Sequence, residues 1–388
     1  MKLFSLIRAQ FSRGYLREAL LGMQLAVMLC LMAPIMSDVA ELMSINRLAS
    51  QMTSPALFFQ ASSRYLVPDD MELAEYTEML ERVENLAEVE AVGRMAVGTT
   101  GIDGVSTAIR FYNDALLSRV RLPVRQKQEI SLVAGQVAVL IDAKMAQRYP
   151  VGTVIQTVDV YFPISCTHQT MEMVVVGVME TDGYFYAFMG GASQVSLNAL
   201  GARNDGTAYN MVALQGFSQA PVQDVAASCL LFVDRENESI CDAVNTTVSG
   251  DGLAVTISSM KQNSLREVVS QQPMIFLAAL LMTLLCVTGI ITYVWLTMQD
   301  FMGRFGMYFI CGMTRGRGLA VLLGVHLLPM LLGISAALVA LNLMKLGVTG
   351  EGITLSLLLM VPQVVFCLVI IALRFQTAEP ILQLRRGE

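Results

Sequence analysis

The sequence predicts an α-helical membrane protein with four transmembrane helices and a large extracytoplasmic α+β domain between the first and second. Three observations predict it. Long apolar runs recur at Ala19–Met36, Met274–Met298, Leu319–Met344 and Ile353–Leu373, each close to the ~18–20 residues that a helix needs to cross a hydrocarbon core. The 388 residues are 54% hydrophobic and only 15% charged, and the mean hydropathy is +0.56, on the apolar side of a soluble chain. Charge is also segregated: Ser37–Pro273 carries 27 acidic against 15 basic residues, and the remainder 5 against 11. The net of −12 for the insertion and +6 outside it gives no nucleic-acid footprint.

Taken in order, residues 1–18 read as a cytoplasmic interfacial helix, with Leu3, Ile7 and Phe11 at helical spacing and Arg8 and Arg13 off that line. Residues 19–36 form the first span. A basic start followed by an apolar run also fits a cleaved signal peptide, but the run is long for one. Pro34–Ala40 lacks a small-x-small cleavage site, so an uncleaved helix is expected. Residues 37–273 are the outer domain with helical stalks, Ser37–Leu48 extending the first span and Gln262–Gln271 leading into the second at Pro273. Then come a second span (274–298), a cytoplasmic loop (299–318), a third span (319–344), an external loop (345–352), a fourth span (353–373) and a cytoplasmic tail (374–388).

Basic residues set the orientation. Lys2, Arg8, Arg13 and Arg17 precede the first span, Arg304, Arg315 and Arg317 lie between the second and third, and Arg374, Arg385 and Arg386 follow the fourth. The positive-inside rule places both termini and the 299–318 loop in the cytoplasm of a multi-pass cell-membrane protein, with the acidic domain outside.

Inside that domain, Asp69 with Glu72 forms an N-cap signal, and Tyr76, Met79, Leu80, Val83 and Leu86 follow at helical spacing. The glutamates between them mark a solvated face. Strands are expected at Ala91–Val97, Val105–Tyr112, Gln136–Ile141, Thr153–Val160, Met173–Val178, Met211–Gln215, Cys229–Val233 and Leu253–Ile257, with short helices at Asp142–Arg148 and Glu236–Val244.

Chemistry is sparse. Two histidines, His168 and His326, cannot alone supply a three-ligand catalytic zinc site, and no H-E-x-x-H, G-x-S-x-G or C-x-x-C occurs. No catalytic residue, cofactor or metal is expected. Cys166, Cys229 and Cys241 fall in the outer domain, where one disulfide and one leftover thiol are allowed, Cys229–Cys241 being nearest in sequence. Asn237-Glu-Ser and Asn245-Thr-Thr match a glycosylation sequon of a kind frequent by chance. His326, Gln24 and Gln363 sit inside spans, and with no acidic residue at the centre of any span their expected role is packing between helices.

The cytoplasmic loop runs Arg304-Phe305-Gly306-Met307-Tyr308-Phe309-Ile310-Cys311-Gly312-Met313-Thr314-Arg315, crowding apolar residues before Gly312, which is placed to cap a helix. The tail reads Glu379-Pro380-Ile381-Leu382-Gln383-Leu384-Arg385. Inside the outer domain Gln136–Ile141 is followed by Met145-Ala146, then Pro150-Val151-Gly152-Thr153-Val154-Ile155, then Val174–Val178. In this order and topology the chain resembles FtsX-like, MacB-type (type VII) ABC transporter permeases along essentially its whole length. Departures are Cys311 and the lack of an acidic residue near the loop's start beyond Asp300.

The resemblance implies a MacB periplasmic-core-like outer domain and a non-catalytic permease subunit. It implies a coupling helix that docks on an ATPase through Arg304, Phe305, Met307, Tyr308, Cys311 and Gly312. The chain has no phosphate-binding loop, so two copies of a separate ABC ATPase subunit are expected. A second permease subunit, identical or not, and an extracytoplasmic accessory protein or substrate complete the expected partners. The implied mechanism is mechanotransmission for export or extraction of a peptide, antibiotic, lipid or lipoprotein. An FtsX-like regulator of a cell-wall hydrolase and a membrane-anchored sensor or adhesion protein without an ATPase are the alternatives.

Overall fold

The computed structural model describes residues 3–180, 184–188, 195–203, 209–271, 273, 277, 280–281, 283–289, 291–292, 309–344 and 348–377. The chain divides into two compact units, Leu42–Glu267 and Met1–Glu41 with Val268–Glu388.

The unit Leu42–Glu267, termed the outer unit after the location expected from its charge, contains two β-layers. A four-stranded sheet is built from β1 (Ala56–Ala61), β2 (Val89–Gly93), β12 (Ser228–Val233) and β13 (Gly252–Thr256) in the order β13-β1-β12-β2, every neighbour antiparallel. Helices α2 (Asp70–Glu84) and α4 (Glu238–Val248) connect β1 to β2 and β12 to β13, and a short helix α3 (Asp114–Arg119) lies between them in the chain. This is a split β-α-β pair of the ferredoxin-like type, cut open after β2. Leu57 and Phe59 of β1 face a core shared with Tyr76, Met79, Leu80 and Val83 of α2 and Ile240 and Val244 of α4. Ala56 and Phe58 face a second core.

The strands inserted after β2 curl into a barrel. They are β3 (Met95–Ile102), β4 (Val105–Tyr112), β5 (Val124–Lys127), β6 (Gln136–Ile141), β7 (Val154–Phe162), β8 (Thr167–Met179) and β11 (Tyr209–Ala213). Their order is β5-β8-β6-β11-β4-β3-β7, and β7 pairs back onto β8 to close the ring. Alternation decides what fills it: Ile109 and Phe111, Val137 and Val139, Met173 and Val175, and Met211 point inward. Their neighbours Tyr112, Ala138, Leu140, Val174, Val176 and Val212 point outward into the second core. The closing seam is thin. β3 meets β7 at one residue pair, Thr99 with Tyr161, and the Thr100 hydroxyl donates to the Asp159 carbonyl at 2.6 Å.

Two expected strands, β4 and β6, hold their bounds, and five others are present with shifted ends. Ala91–Val97 is two strands, because the chain leaves the four-stranded sheet at Arg94 and enters the barrel. Asp142–Arg148 is a single 3₁₀ turn at Met145–Gln147. The Asp69–Glu72 signal is a full capping box: the Asp69 carboxylate accepts from the Glu72 N–H at 2.8 Å, and the Glu72 carboxylate accepts from the Asp69 N–H at 3.1 Å. Both open edges of the four-stranded sheet are covered by an asparagine. Asn113 donates to the Val92 carbonyl at 2.8 Å and accepts from the Arg94 N–H at 2.9 Å. Asn245 accepts from the Ala254 N–H at 2.7 Å and donates to its carbonyl at 3.2 Å. Each amide stands in for a further strand and removes a template for unwanted pairing.

The second unit is helical. Among the described residues three helices are long and apolar enough to cross a membrane: the stretches Ala19–Ser50, Arg315–Leu343 and Gly350–Leu373. They belong to α1 (Leu3–Ser50), α6 (Arg315–Met344) and α7 (Gly350–Thr377). The expected second span, 274–298, lies only in part within the described residues, and those described between 273 and 292 are helical. Leu21, Leu25, Met28, Leu29 and Ala33 of α1 form a buried stripe against Leu322, Val325 and Met330 of α6 and Met360 of α7. Leu328, Leu332, Leu358 and Phe366 are left exposed, the pattern of helices that are apolar all round.

Candidate coupling site

Of the six residues expected to dock on an ATPase, Arg304, Phe305, Met307 and Tyr308 lie outside the described residues. Cys311 and Gly312 are described. Phe309 and Ile310 end a helical turn, and the Gly312 N–H donates back to the Phe309 carbonyl at 3.0 Å. Gly312 has φ +87°, the left-handed conformation that glycine adopts without a Cβ penalty at a helix end. The chain then re-enters helix α6 through Thr314, whose carbonyl accepts from the Gly318 N–H at 3.1 Å. Phe309 and Met313 pack at the edge of the helical core. Ile310 is 79% exposed, beside exposed Cys311, Arg315 and Arg317. An exposed apolar side chain and, further along the chain, two exposed cationic ones thus share this described segment.

Among the described residues, close contacts tie α1 to its neighbours inside the helical unit. Gly22 faces Gly333 and Pro329 of α6, backbone against backbone. The Cys286 thiol donates to the Gln24 carbonyl at 3.4 Å. Ser37 donates to the Ala33 carbonyl at 2.8 Å and accepts from the Thr349 N–H at 3.0 Å, just before α7 begins. His326 is fully buried in α6. A cavity of about 310 Å³, lined by Val287, Ile291, Pro362, Gln363 and Phe366, is apolar apart from Gln363.

In the outer unit, the two helices at its ends are set in one core. Ile45, Leu48 and Ala49 at the end of α1 and Ile257 and Met260 of α5 (Ile257–Gln271) pack with Tyr112, Tyr186 and Phe232. Tyr186 and the α5 residue Ser264 bridge these parts by hydrogen bonds. Neither carries a sequence signal, because a buried tyrosine and a helical serine are common in any domain.

Among the described residues the remaining polar groups form no reactive constellation. His168 Nδ1 lies 3.0 Å from Asp159 Oδ2, and both side chains are exposed. Cys229 and Cys241 are free thiols buried in the α2/α4 core. Burial pushes Cys229 up to about 12 and Cys241 up to about 11, which suppresses the thiolate each would need for nucleophilic attack. Among the described residues no group of three His, Cys, Asp or Glu side chains is arranged to hold a metal ion. Asn237 caps α4 by accepting from the Ser239 N–H at 3.2 Å, and Asn245 seals β13, so both sequon asparagines have structural work.

The sequence matches no protein-family model and no curated protein. Among solved structures, the extracellular domain of the noncanonic ABC-type transporter YknZ from Gram-positive bacteria is 14% identical with a TM-score of 0.28. That match covers 52% of this chain and 100% of that one. The periplasmic region of MacB from Actinobacillus actinomycetemcomitans is 10% identical with a TM-score of 0.32, over 56% of this chain and 96% of that one.

Proposed function

We propose that this chain is the permease subunit of an ABC transporter, carrying force from a separate ATPase to its extracytoplasmic domain. The observation that carries the reading is the way the outer unit ends. Its two connections to the apolar segments are helices, α1 and α5, and each buries side chains in the same core: Ile45, Leu48 and Ala49 from one, Ile257 and Met260 from the other. A helix seated in a packed core transmits displacement, where a flexible loop would absorb it.

On this reading the domain at 37–273 lies outside the cell membrane and both termini and the 299–318 loop lie in the cytoplasm. The segment Arg304–Gly312 docks on the ATPase, two ATPases and a second permease subunit complete the assembly, and the work done is export or extraction of a peptide, antibiotic, lipid or lipoprotein. ATP binding draws the docked segments together, and the helices bias the outer unit between two arrangements.

Replacing Phe305, Met307 and Tyr308 together by Glu tests the docking. A buried carboxylate without a partner costs several kcal/mol, so ATPase co-purification should fall at least about tenfold while membrane level is unchanged. A reporter at the exposed Asp103–Gly104 turn should be labelled from outside intact cells, and one after Glu388 should not. Wild-type retention of an ATPase by the triple variant would remove the docking assignment, and outside labelling of the C-terminus would remove the topology.

A further inference from the structure

We propose that Tyr186 is a positioning residue, and that its hairpin clasps the ends of α1 and α5 to the barrel so that the three respond as one element. The proposal deepens the permease reading and rests on it.

The hairpin is small. β9 (Tyr184–Tyr186) and β10 (Gly201–Arg203) pair over three residues each, with Tyr186 opposite Gly201. Two such strands have little stability of their own, yet Phe185 and Tyr186 are 2% and 0% exposed. Bonds to other elements hold them. Toward α1, the Tyr186 hydroxyl donates to the Leu48 carbonyl at 2.8 Å. That carbonyl lies in the last turn of α1 and also accepts from the Gln51 N–H at 3.0 Å, so the tyrosine is its second donor.

Toward the barrel, the Tyr112 hydroxyl of β4 donates to the Tyr186 carbonyl at 2.6 Å. Two residues earlier on β4, the Arg110 guanidinium lies 4.1 Å from the Phe185 ring centre and donates to the Asn210 side chain on β11 at 3.1 Å. Toward α5, the Leu197 N–H donates to Ser264 Oγ at 2.7 Å, and the Asn263 amide donates to the Val195 carbonyl at 3.1 Å. Burial pushes the Tyr112 and Tyr186 phenols above their ordinary range, so both remain O–H donors at physiological pH.

Each tie attaches to a different moving part. α1 and α5 enter the unit from opposite ends of its sequence, and the barrel lies between them in the chain. Short polar bonds buried among apolar side chains are direction-specific in a way that the surrounding core, which includes Phe188, Leu197 and Leu200, is not. They set where the helix ends stop against the barrel.

The test uses the full-length chain and hydrogen exchange. Tyr186→Phe keeps the ring and removes one donor. The amides of Gln51 and Met52 should exchange about three- to tenfold faster, the effect of one lost hydrogen bond. Amides of α5 around Ser264 should also quicken, and Ser264→Ala should in turn quicken exchange at Gln51, because coupling between sites is reciprocal. If each variant loosens only its own end, the hairpin is a local brace and the inference fails.

A second arm adds the co-purified ATPase with ATP and vanadate. Nucleotide should change exchange in β4 and β11 of the wild type, and Tyr186→Phe should lose most of that change while hydrolysing ATP at the wild-type rate when vanadate is omitted. A full nucleotide response in the variant overturns the proposal. Absence of any associating ATPase would instead defeat the permease reading, and the exchange arm would still decide whether the three parts are linked.

Discussion

The two units of this chain are assembled by opposite devices. In the helical unit backbone meets backbone. A Cβ added at Gly22 would lie 2.7 Å from the Pro329 carbonyl oxygen, and one added at Gly333 would strike the Gly22 carbonyl. In the outer unit bulky side chains interdigitate, with Phe58, Phe59, Phe111, Phe162 and Phe232 among the most buried. The difference follows from the solvent each unit is built for. Water drives apolar side chains together, so size is rewarded in the outer unit. Hydrocarbon supplies no such drive between helices, and close approach of small residues takes its place. One unit should therefore break when atoms are added, and the other when they are removed.

The sharpest test adds atoms. Gly333→Val should prevent α6 from seating on α1, because the obstructing atoms are backbone and cannot rotate away. We expect loss of most of the membrane-inserted, detergent-stable protein. Gly316→Val is the control, since a Cβ there meets nothing within 4 Å, and it should be close to wild type. Equal yields from the two variants would break the comparison.

Removing atoms should be worst in the outer unit. Phe232 is fully buried on β12, and Phe232→Ala should cost about 3–5 kcal/mol, lowering the melting temperature by roughly 10 °C for a unit of this size. The buried thiols report the transition. With values of about 11 and about 12, Cys241 and Cys229 hold on the order of 10⁻³ and 10⁻⁴ of their population as thiolate at pH 8 in the native state, rising about tenfold per pH unit. Maleimide labelling of these two should therefore wait for unfolding, while exposed Cys166 labels at once. Prompt native labelling of Cys229 would show that the core is open.

This contrast also explains what could be read in advance. Spans and the α2 cap are local patterns: an apolar run of sufficient length, and Asp69 three residues before Glu72. β1 (Ala56–Ala61) was not legible, because as an inner strand buried on both faces it shows no alternation of apolar and polar residues. The split of Ala91–Val97 at Arg94 depends on Asn113, nineteen residues away, catching the Arg94 N–H. The barrel's strand order rests on parallel pairs, β4 with β11 and β6 with β8, that no local pattern announces. Of the expected docking residues, the glycine turn at Gly312 was legible from residue type alone, as a conformation that suits glycine. The Tyr186 clasp was not, since its strands are three residues long and its partners are distant in sequence.

The two sheet-edge asparagines give an intermediate effect. Asn113→Ala leaves the Val92 carbonyl and the Arg94 N–H without their side-chain partner, and Asn245→Ala does the same to both backbone groups of Ala254. Each should cost about 1–3 kcal/mol and raise concentration-dependent association, because the bared edge can pair with another chain. A monomeric, fully stable Asn245→Ala variant would show that α4 alone protects the edge. Melting temperature and light scattering together decide this.

The smallest effects come from single side-chain ties to backbone, and here the comparison takes its finest form. Ser37 in the helical unit and Asp69 in the outer unit each accept from a backbone N–H at the start of a helix, Thr349 before α7 and Glu72 in α2. Ser37 is buried, and Asp69 is exposed. Removing the Asp69 carboxylate lets water take over the freed N–H, so Asp69→Ala should cost about 0.5–1 kcal/mol. Removing the Ser37 hydroxyl leaves the Thr349 N–H without that acceptor and with little water to replace it. Ser37→Ala should therefore cost about 1–2 kcal/mol although the bond lost is neutral and no shorter. The order of the two is the prediction: if Asp69→Ala proves the more damaging in parallel thermal melts, burial does not set the strength of these ties, and the two units are less different than their cores imply.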